Sequence, residues 1–384
     1  MTPAGNPQQD PPSSGPVSEI VIHAGAYKTA TSTIQTLLTT HRKIFLQRYG
    51  LWFPQTGTRR NTGSANPEST AHHPLFHAIR QPAQTTAKSA ALRQRLADEL
   101  DRVRPERAVL CTELLSGTTG QIKRAFLDLL PPGVPVRVVY AIRRPDDYFA
   151  SLVNQSFKNF KDPDLASDRA PHFARDIRDW QSLLGQDRVT VLTFQSSDYA
   201  GFLGRTFAAF GIAPDDPHID PSLHDNPAMT LRGHLMRSLI RQRLDALGTP
   251  LTRILRHKLN LILDDLERSL PKSPKAVFFS ERERADLLAS NAATMRDVRA
   301  MMSEAEASRL AAELARPDSA EARNVTGEVP VDPDVLFQIL TALASGPIGK
   351  VLALGRQSPE PKEERHAAGR SDAARARRRK RNLS

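Results

Sequence analysis

A chain of 384 residues can bury a substantial core, and its 29 prolines and few aromatic residues (6%) indicate a globular body with unstructured ends. Its single cysteine, Cys111, excludes an intramolecular disulfide framework and indicates a reducing compartment, so we expect a cytoplasmic protein. The net charge of +11 lies mostly in the C-terminal tail, so the charge of the whole chain does not indicate what the globular part binds.

The N-terminal region predicts a disordered segment followed by a strand, a turn and a helix. Residues 1–18 are rich in Pro, Gln and Ser and contain neither a basic leader nor an apolar run, so we expect no signal peptide. The β-branched run EIVIHA at residues 19–24 is typical of a buried strand. A helix is expected to begin near Thr31 or Ser32.

The turn between this strand and this helix has the features of an anion-binding loop. A helix N-terminus directs backbone N–H groups and the positive end of the helix dipole at one point, to which Lys28 adds a charge. A nucleotide-triphosphate P-loop requires glycines where this chain has Ile22 and Tyr27, so an ATPase or GTPase is disfavoured. An ordinary capped turn is the alternative interpretation. Hydroxyl donors come from Thr29, Thr31, Ser32 and Thr33.

The middle of the chain alternates helices with strands. Residues 55–88 are a long polar segment with three histidines, which we interpret as a loop. Three further strands are predicted at RAVLCTE, PVRVVYAIRR and RVTVLTF. This alternation predicts an α/β fold with a central, mainly parallel sheet flanked by helices. The helices are expected at about 90–103, 120–130, 146–160, 171–184 and 198–210.

A second anion site is predicted at the end of the strand PVRVVYAIRR. Arg143 closes this strand, and Ser151 lies two turns into the following helix. A strand-end arginine and a hydroxyl on the adjacent helix can converge on a phosphate. The alternative is a surface arginine with an unrelated serine. Two anion sites at the carboxyl ends of parallel strands are less easily accidental than either alone.

The C-terminal part of the chain is predicted to be helical and then disordered. Residues from about 228 to 312 show only helical patterns, so we expect a helical elaboration within one domain spanning residues 19–315. Residues 316–384 are expected to be mostly disordered. Eight Lys or Arg residues against one acid within residues 365–384 give the tail +7 of the net charge. It is either a solvated end or a segment attracted to an anionic membrane surface or another polyanion. We expect no transmembrane segment, because no run approaches the roughly 18 apolar residues that a span requires.

The two anion motifs resemble those of the sulfotransferases that use 3′-phosphoadenosine 5′-phosphosulfate (PAPS). The family's loop for the 5′-phosphosulfate reads roughly P-K-[ST]-G-T-[TS], and this chain has YKTATS at residues 27–32. The family's element for the 3′-phosphate reads R-x-P-x-D-x-x-x-S, and this chain has RRPDDYFAS at residues 143–151. The segment HAGAYKTATSTIQ at residues 23–35 resembles the bacterial branch. Ala30 stands in place of the loop glycine and Tyr27 in place of the proline.

The resemblance implies a P-loop-like fold and in-line transfer of a sulfuryl group from PAPS to an acceptor hydroxyl, without a metal ion. Lys28 is implied to neutralise charge on the departing phosphate, and Arg143 with Ser151 to bind the 3′-phosphate. Bacterial relatives often modify carbohydrates or glycolipids, so the acceptor is expected to be a saccharide or another small molecule. The residues implied to hold the 5′-phosphate are Lys28, Thr29, Ala30, Thr31, Ser32 and Thr33.

A general base should accept the proton of the acceptor, and Glu113 is the first candidate. It ends RAVLCTE, which resembles in chain order the strand that carries the catalytic base in related sulfotransferases. We expect burial beside an anionic cofactor to raise its pKa. His72 and His73 are the rivals, because a histidine titrates near neutrality. A glutamate that only caps the next helix is the alternative interpretation.

Two other functions stay open. Ala30 in the loop favours a catalytically inactive relative that binds a nucleotide or a polyanion. A small-molecule kinase is disfavoured by the missing glycines and by the lack of a strand-end aspartate for Mg²⁺. Binding of 3′,5′-diphosphoadenosine without metal separates a sulfotransferase from a kinase, and turnover separates an enzyme from a binding protein.

Overall fold

The structure is a computed structural model whose described residues fall into two compact units. The first holds those up to 157, those of 161–231 and those from 276 onward, and the second holds 158–160 and 232–269. Most of the predicted terminal segments, 1–18 and 316–384, lie outside the described residues. The structure describes residues 16–60, 70–80, 85–161, 171–223, 229–246, 248, 250–269, 276–317 and 323–324.

A five-stranded parallel sheet forms the centre of the first unit, in the order β2-β5-β1-β6-β7. The four strands predicted from β-branched runs are all present in it, which confirms the predicted α/β class. The edge strand β2 was missed, because two residues are too few to show a pattern. The described strands are β1 (Glu19–His23), β2 (Leu51–Trp52), β3 (Arg59–Arg60), β4 (Thr70–Ala71), β5 (Arg107–Cys111), β6 (Val136–Arg143), β7 (Val189–Phe194), β8 (Ala276–Val277) and β9 (Arg323–Asn324).

Helices cover both faces of this sheet. Where bounds were predicted for a helix, they agree with the structure to within a few residues, apart from α4, which begins five residues early. Helices α2 and α3 were not predicted. The described helices are α1 (Thr31–Thr40), α2 (Arg42–Tyr49), α3 (His73–Ile79), α4 (Thr85–Val103), α5 (Gly120–Leu127), α6 (Pro145–Lys158), α7 (Phe173–Leu184), α8 (Tyr199–Phe210), α9 (Leu231–Ala246), α10 (Arg253–Ser269), α11 (Glu281–Ser290), α12 (Ala292–Ala300) and α13 (Glu304–Leu314).

Two hydrophobic clusters lie on the two faces of the sheet. Successive residues of β1 alternate between them, with Ile20 and Ile22 in one cluster and Val21 in the other, as the two-residue period of a strand requires. Helices α1, α2 and α8 cover the face of Val21, and helices α3, α4, α5, α7, α12 and α13 cover the opposite face. The carboxyl ends of β1, β5 and β6 therefore point the same way and carry the predicted site residues.

The interpretation of residues 55–88 as a structureless loop was wrong in the part that the structure describes. Strands β3 and β4 pair antiparallel, with Arg59 opposite Ala71. Helix α3 follows at once, has a proline in its first turn, and buries Leu75 and Phe76. Flanking polar residues hid this short helix, since seven residues give barely two turns of periodicity.

The predicted C-terminal helices divide between the units. Helices α9 and α10 make up most of the second unit and pack through a cluster that includes Met236, Ile240, Leu259 and Leu263. Helices α11, α12 and α13 belong to the first unit, where the short pair β8–β9 interrupts the helical pattern that we predicted. Among the described residues, we find no helix long and apolar enough to cross a bilayer.

Candidate functional site

The turn after β1 is held against β6 and has a strained backbone. The Ala26 N–H donates to the Ala141 carbonyl (2.9 Å), and the Thr29 hydroxyl donates to the Ala26 carbonyl (2.8 Å). Lys28 has a φ of 69° and Ala30 a φ of 57°. Both lie in the left-handed region, where a side chain costs ~1–2 kcal/mol per residue. The glycine that the family motif has in place of Ala30 would adopt this conformation without strain.

The N-terminus of α1 is open to an anion. Its cap, Ala30, supplies no side-chain hydrogen bond, and the first turn contains no acid. The first intrahelical bond runs from the Ile34 N–H to the Ala30 carbonyl (3.1 Å), so the preceding N–H groups face outward along the helix axis. The buried Thr31 Oγ1 has no hydrogen-bond partner among the described residues. This unsatisfied hydroxyl and the helix dipole fit a phosphate oxygen.

The hydroxyl of Thr33 is already engaged. It donates to the Leu223 carbonyl (3.2 Å) and accepts from the Tyr199 hydroxyl (2.8 Å), which ties α1 to the chain beyond β7. The Thr29 hydroxyl is likewise used inside the turn, and Ser32 lies half-buried on the first turn of α1. Of the predicted hydroxyls, Thr31 is therefore the one whose geometry best suits a ligand.

Arg143 links the two predicted anion motifs. Its Nη1 donates to the Lys28 carbonyl (3.0 Å) and to the Ser151 Oγ (3.0 Å). Its guanidinium carbon lies 5.0 Å from the ring centre of Phe194, and its buried Nε has no hydrogen-bond partner among the described residues. Burial lowers the pKa of Arg143, although the charges of Asp147 and Asp146 oppose the shift. A buried guanidinium that has an N–H donor without a partner among the described residues is suited to binding a phosphate.

The acids of the RRPDD segment serve structure. Asp146 pairs with Arg144 (2.8 Å) and with Arg284 of α11 (2.7 Å), and Asp147 pairs with Arg316 (2.6 Å), beyond α13. Both aspartates stand in the first turn of α6, where negative charge complements the helix dipole. They hold the C-terminal helices of the first unit against the strand end that carries Arg143.

Lys28 is partly buried and donates a hydrogen bond to Gln155 Oε1. Burial lowers its pKa from 10.5 to about 8, against the charge of Glu113, which raises it. Gln155 lies four residues after Ser151 and therefore on the same face of α6. The lysine, the serine and the arginine thus converge on one side of this helix.

Glu113 and His73, predicted as rivals for the base, form a pair. His73 Nε2 lies 3.4 Å from Glu113 Oε1, and His73 Nδ1 lies 3.1 Å from the Thr112 hydroxyl. Gln35 of α1 donates to Glu113 Oε2 (3.3 Å). The expected rise in the pKa of Glu113 was wrong: burial does raise it, but the hydrogen bonds and charge of His73, with help from Gln35, lower it overall. Glu113 is therefore ionised at neutral pH.

His72 has a different environment from its neighbour. It is fully buried, its Nδ1 accepts from the Cys111 N–H (3.1 Å), and its Nε2 lies 3.1 Å from the Pro54 carbonyl. These contacts fix the neutral tautomer with the proton on Nε2, and burial lowers the pKa to about 3. With both nitrogens engaged inside the protein, His72 braces the end of β5.

A buried polar network fixes the turn that follows Glu113. Lys123 and Asp176 are 0% exposed and 2.8 Å apart, and Lys123 also contacts Asp179 at 2.8 Å. Asp176 accepts from the Gly117 N–H (2.7 Å) and from the Tyr140 hydroxyl (2.8 Å). Because every charge in this network is paired, it can hold α5, α7 and the 113–118 turn in one arrangement.

The sequence patterns missed several of these residues. Gln35 and Gln155 follow Thr31 and Ser151 by four positions, and this helical spacing was a usable signal. The Lys123–Asp176 pair joins residues that are far apart in the chain, and no local pattern indicates it. No cluster of metal-binding side chains occurs in the part of the chain that the structure describes.

Comparisons with known proteins add little to this geometry. No family model and no curated protein matches the chain. Among solved structures, it resembles the crystal structure of a sulfotransferase from Alicyclobacillus acidocaldarius, with 16% identity and a TM-score of 0.36. The match covers 61% of this chain and 96% of that one. A match this weak carries no argument about function, so the function is inferred from the site.

Replacing Ala30 with glycine is expected to stabilise the protein by ~0.5–1 kcal/mol, because it removes left-handed strain at a modest cost in chain entropy. The midpoint of urea unfolding measures this change. The matched control is Ala91→Gly on the exposed face of α4, where the same substitution in a right-handed helix should destabilise by a similar amount. Destabilisation by both variants would show that the turn is not strained.

Proposed function

We propose that the protein transfers a sulfuryl group from PAPS to an acceptor hydroxyl. The observation that carries the proposal is the position of Arg143, whose single Nη1 joins the carbonyl of the loop residue Lys28 to the Ser151 hydroxyl. The two motifs of the family resemblance thus meet in one hydrogen-bonded unit. Thr31 Oγ1 and Arg143 Nε have no hydrogen-bond partner in the part of the chain that the structure describes, and these two buried donors suit a phosphate-bearing ligand.

The residues divide the binding of such a cofactor between them. The N–H groups at the start of α1, the Thr31 hydroxyl and the Lys28 ammonium would hold the 5′-phosphate. Arg143 and Ser151 would hold the 3′-phosphate, which ATP lacks. When bound, PAPS would supply an activated sulfuryl group and leave as 3′,5′-diphosphoadenosine.

Proton transfer falls to Glu113 and His73. Glu113 is ionised, and it lies 3.4 Å from the Nε2 of His73, so the proton released by the acceptor hydroxyl can pass to either group of the pair. Thr112 contacts His73 and Gln35 donates to Glu113, so each member of the pair is oriented by one further contact. Lys28 lies near enough for Glu113 to raise its pKa, which supports a shared site for the proposed base and the phosphate loop.

The inactive relative stays as a second candidate, because Ala30 has a φ of 57° where the family has glycine. Its methyl group stands at the cap of α1, where a phosphate would approach. Such a protein would bind the nucleotide without turnover. A saccharide acceptor, a cytoplasmic location and a role of the basic tail remain predictions from the sequence.

Calorimetric titration with 3′,5′-diphosphoadenosine in the absence of metal tests the proposed cofactor. We expect micromolar affinity, abolished by Arg143→Ala, and much weaker binding of ATP with Mg²⁺. Arg296→Ala, which removes an exposed arginine from α12, is the matched control and should leave the affinity unchanged. Tighter binding of ATP, or no binding of the diphosphate, would overturn the proposal. Binding without any release of product from PAPS across an acceptor panel would select the inactive relative.

A further inference from the structure

Three exposed cations and one exposed histidine lie on α3, at its C-cap and on the elements next to it. We call this group the cationic rim; it consists of Arg59, His77, Arg80 and Lys88. His73, His77 and Arg80 follow one another at spacings of four and three residues, so they lie on one face of α3 and its C-cap. His73 Nε2 lies 3.4 Å from Glu113 Oε1, so His77 and Arg80 lie on the same side of α3 as the candidate site.

Two neighbouring elements supply the rest of the rim. Arg59 lies on β3 and pairs with Ala71 of β4, and Ala71 precedes His73 by two residues. Lys88 lies in the first turns of α4, the helix that packs against α3. Thus three separate elements bring positive charge to the surface beside one catalytic candidate.

The positive charges of the rim are not neutralised within the described part of the chain. None of its four members forms an ion pair with a described acid, whereas many surface arginines do, such as Arg205 with Asp198 (2.9 Å). Burial lowers the pKa of His77, and the charges of His73, Arg80, Arg59 and Lys88 lower it further. Like charges held together repel one another, and an anionic ligand would relieve this repulsion.

The rim also reaches the phosphate loop. Arg80 acts electrostatically on Tyr27, whose pKa is raised to about 12, mainly by burial and also by the charge of Glu113. Tyr27 directly precedes Lys28, so Arg80 is a member of the rim that extends toward the loop. The cofactor's phosphates already have Lys28, Arg143 and the N-terminus of α1, which leaves the rim available to a second anionic molecule.

We propose that the rim binds an anionic group of the acceptor, a carboxylate, phosphate or sulfate ester, and so positions a neighbouring hydroxyl at the Glu113–His73 pair. This proposal rests on the proposed function and adds the chemical class of the acceptor. Arg80 and Arg59 would hold the anion through paired N–H donors, Lys88 through its point charge, and His77 when protonated. A neutral acceptor would leave the repulsion within the rim in place.

Matched pairs of saccharides test this inference on the full chain saturated with 3′,5′-diphosphoadenosine. One pair is 4-nitrophenyl β-glucuronide and 4-nitrophenyl β-glucoside, which differ by a carboxylate. The other is glucose 6-phosphate and glucose, which differ by a phosphate. Saturation-transfer NMR titrations at low salt should show the anionic member of at least one pair binding about tenfold more tightly. The pair that shows the preference distinguishes a carboxylate from a phosphate.

Variants assign the preference to the rim. The double variant Arg80→Gln, Lys88→Gln should abolish it and leave the affinity for 3′,5′-diphosphoadenosine unchanged. The control Arg102→Gln removes an exposed arginine from the far end of α4, 14 residues and about 21 Å from Lys88. This variant should keep the preference for the anionic saccharide. Equal binding of both members, no binding of any probe, or a preference that survives in the double variant overturns the inference. If the diphosphate itself does not bind, the proposed function fails first, so the two failures are distinguishable.

Discussion

Replacing Lys28 with methionine is expected to lower the kcat of sulfuryl transfer by about 10²- to 10³-fold, the effect of removing one preorganised donor from developing negative charge. The ammonium is held in a part-buried site between Gln155 and Glu113, where a charge acts more strongly than in water. Release of 3′,5′-diphosphoadenosine from PAPS with the best acceptor measures the change. Lys43→Met, on the exposed face of α2, removes an equal charge away from the loop and should have no effect.

The pH profile of the same reaction provides an independent readout of Lys28. Burial lowers the pKa of the ammonium to about 8, and the protonated form is the one that assists the departing phosphate. The profile of kcat/KM, which reports the free enzyme, should therefore fall as the pH rises through about 8. Lys28→Arg keeps its charge at alkaline pH, so this limb should shift upward or disappear in that variant. A wild-type profile that stays flat to pH 9.5 would contradict the assigned role.

The prediction of the fold succeeded where segments carry their own pattern. Strands β1, β5, β6 and β7 are mostly apolar runs of five to eight residues, and their burial makes them visible in the sequence. Strand β2 has two residues and α3 has seven, and both are fixed by their neighbours. The Trp52 indole donates to the buried Glu99 (2.8 Å), a contact that no local pattern indicates. Tertiary contacts, more than propensity, determine these short elements.

The candidate site shows the same division. Lys28 lies in the turn after β1, Arg143 ends β6 and Ser151 lies two turns into α6. Because each position is fixed by a short local motif, the motif spacing was enough to bring the three residues together. The pKa of Glu113 was misjudged because its sign depends on His73, which lies 40 residues earlier in the chain and was regarded as a competitor. Only the three-dimensional arrangement shows that one hydrogen-bonded pair contains both candidates.

The largest effect on stability is expected from Lys123→Met, at ~3–5 kcal/mol of destabilisation, because the substitution leaves the buried Asp176 with only the distant, half-exposed Arg175 (4.0 Å) as a cation among the described residues. Both side chains are 0% exposed and lie 2.8 Å apart, so water cannot replace the lost charge. The midpoint and slope of urea unfolding measure the change. Arg178→Met is the matched control, since Arg178 and Asp297 form an exposed pair, at 55% and 54%, whose loss should cost below about 1 kcal/mol.

The double variant Lys123→Met, Asp176→Asn decides why the lysine matters. If the cost comes from the unpaired charge, neutralising Asp176 should recover most of the stability, because the amide oxygen can still accept from the Gly117 N–H and the Tyr140 hydroxyl. If the cost comes from lost packing of the lysine beside the ring of Trp180, the double variant should be no more stable than the single one. Recovery would show that the two buried charges stabilise the turn after Glu113 only as a pair, because a protein with one of them is less stable than a protein with neither.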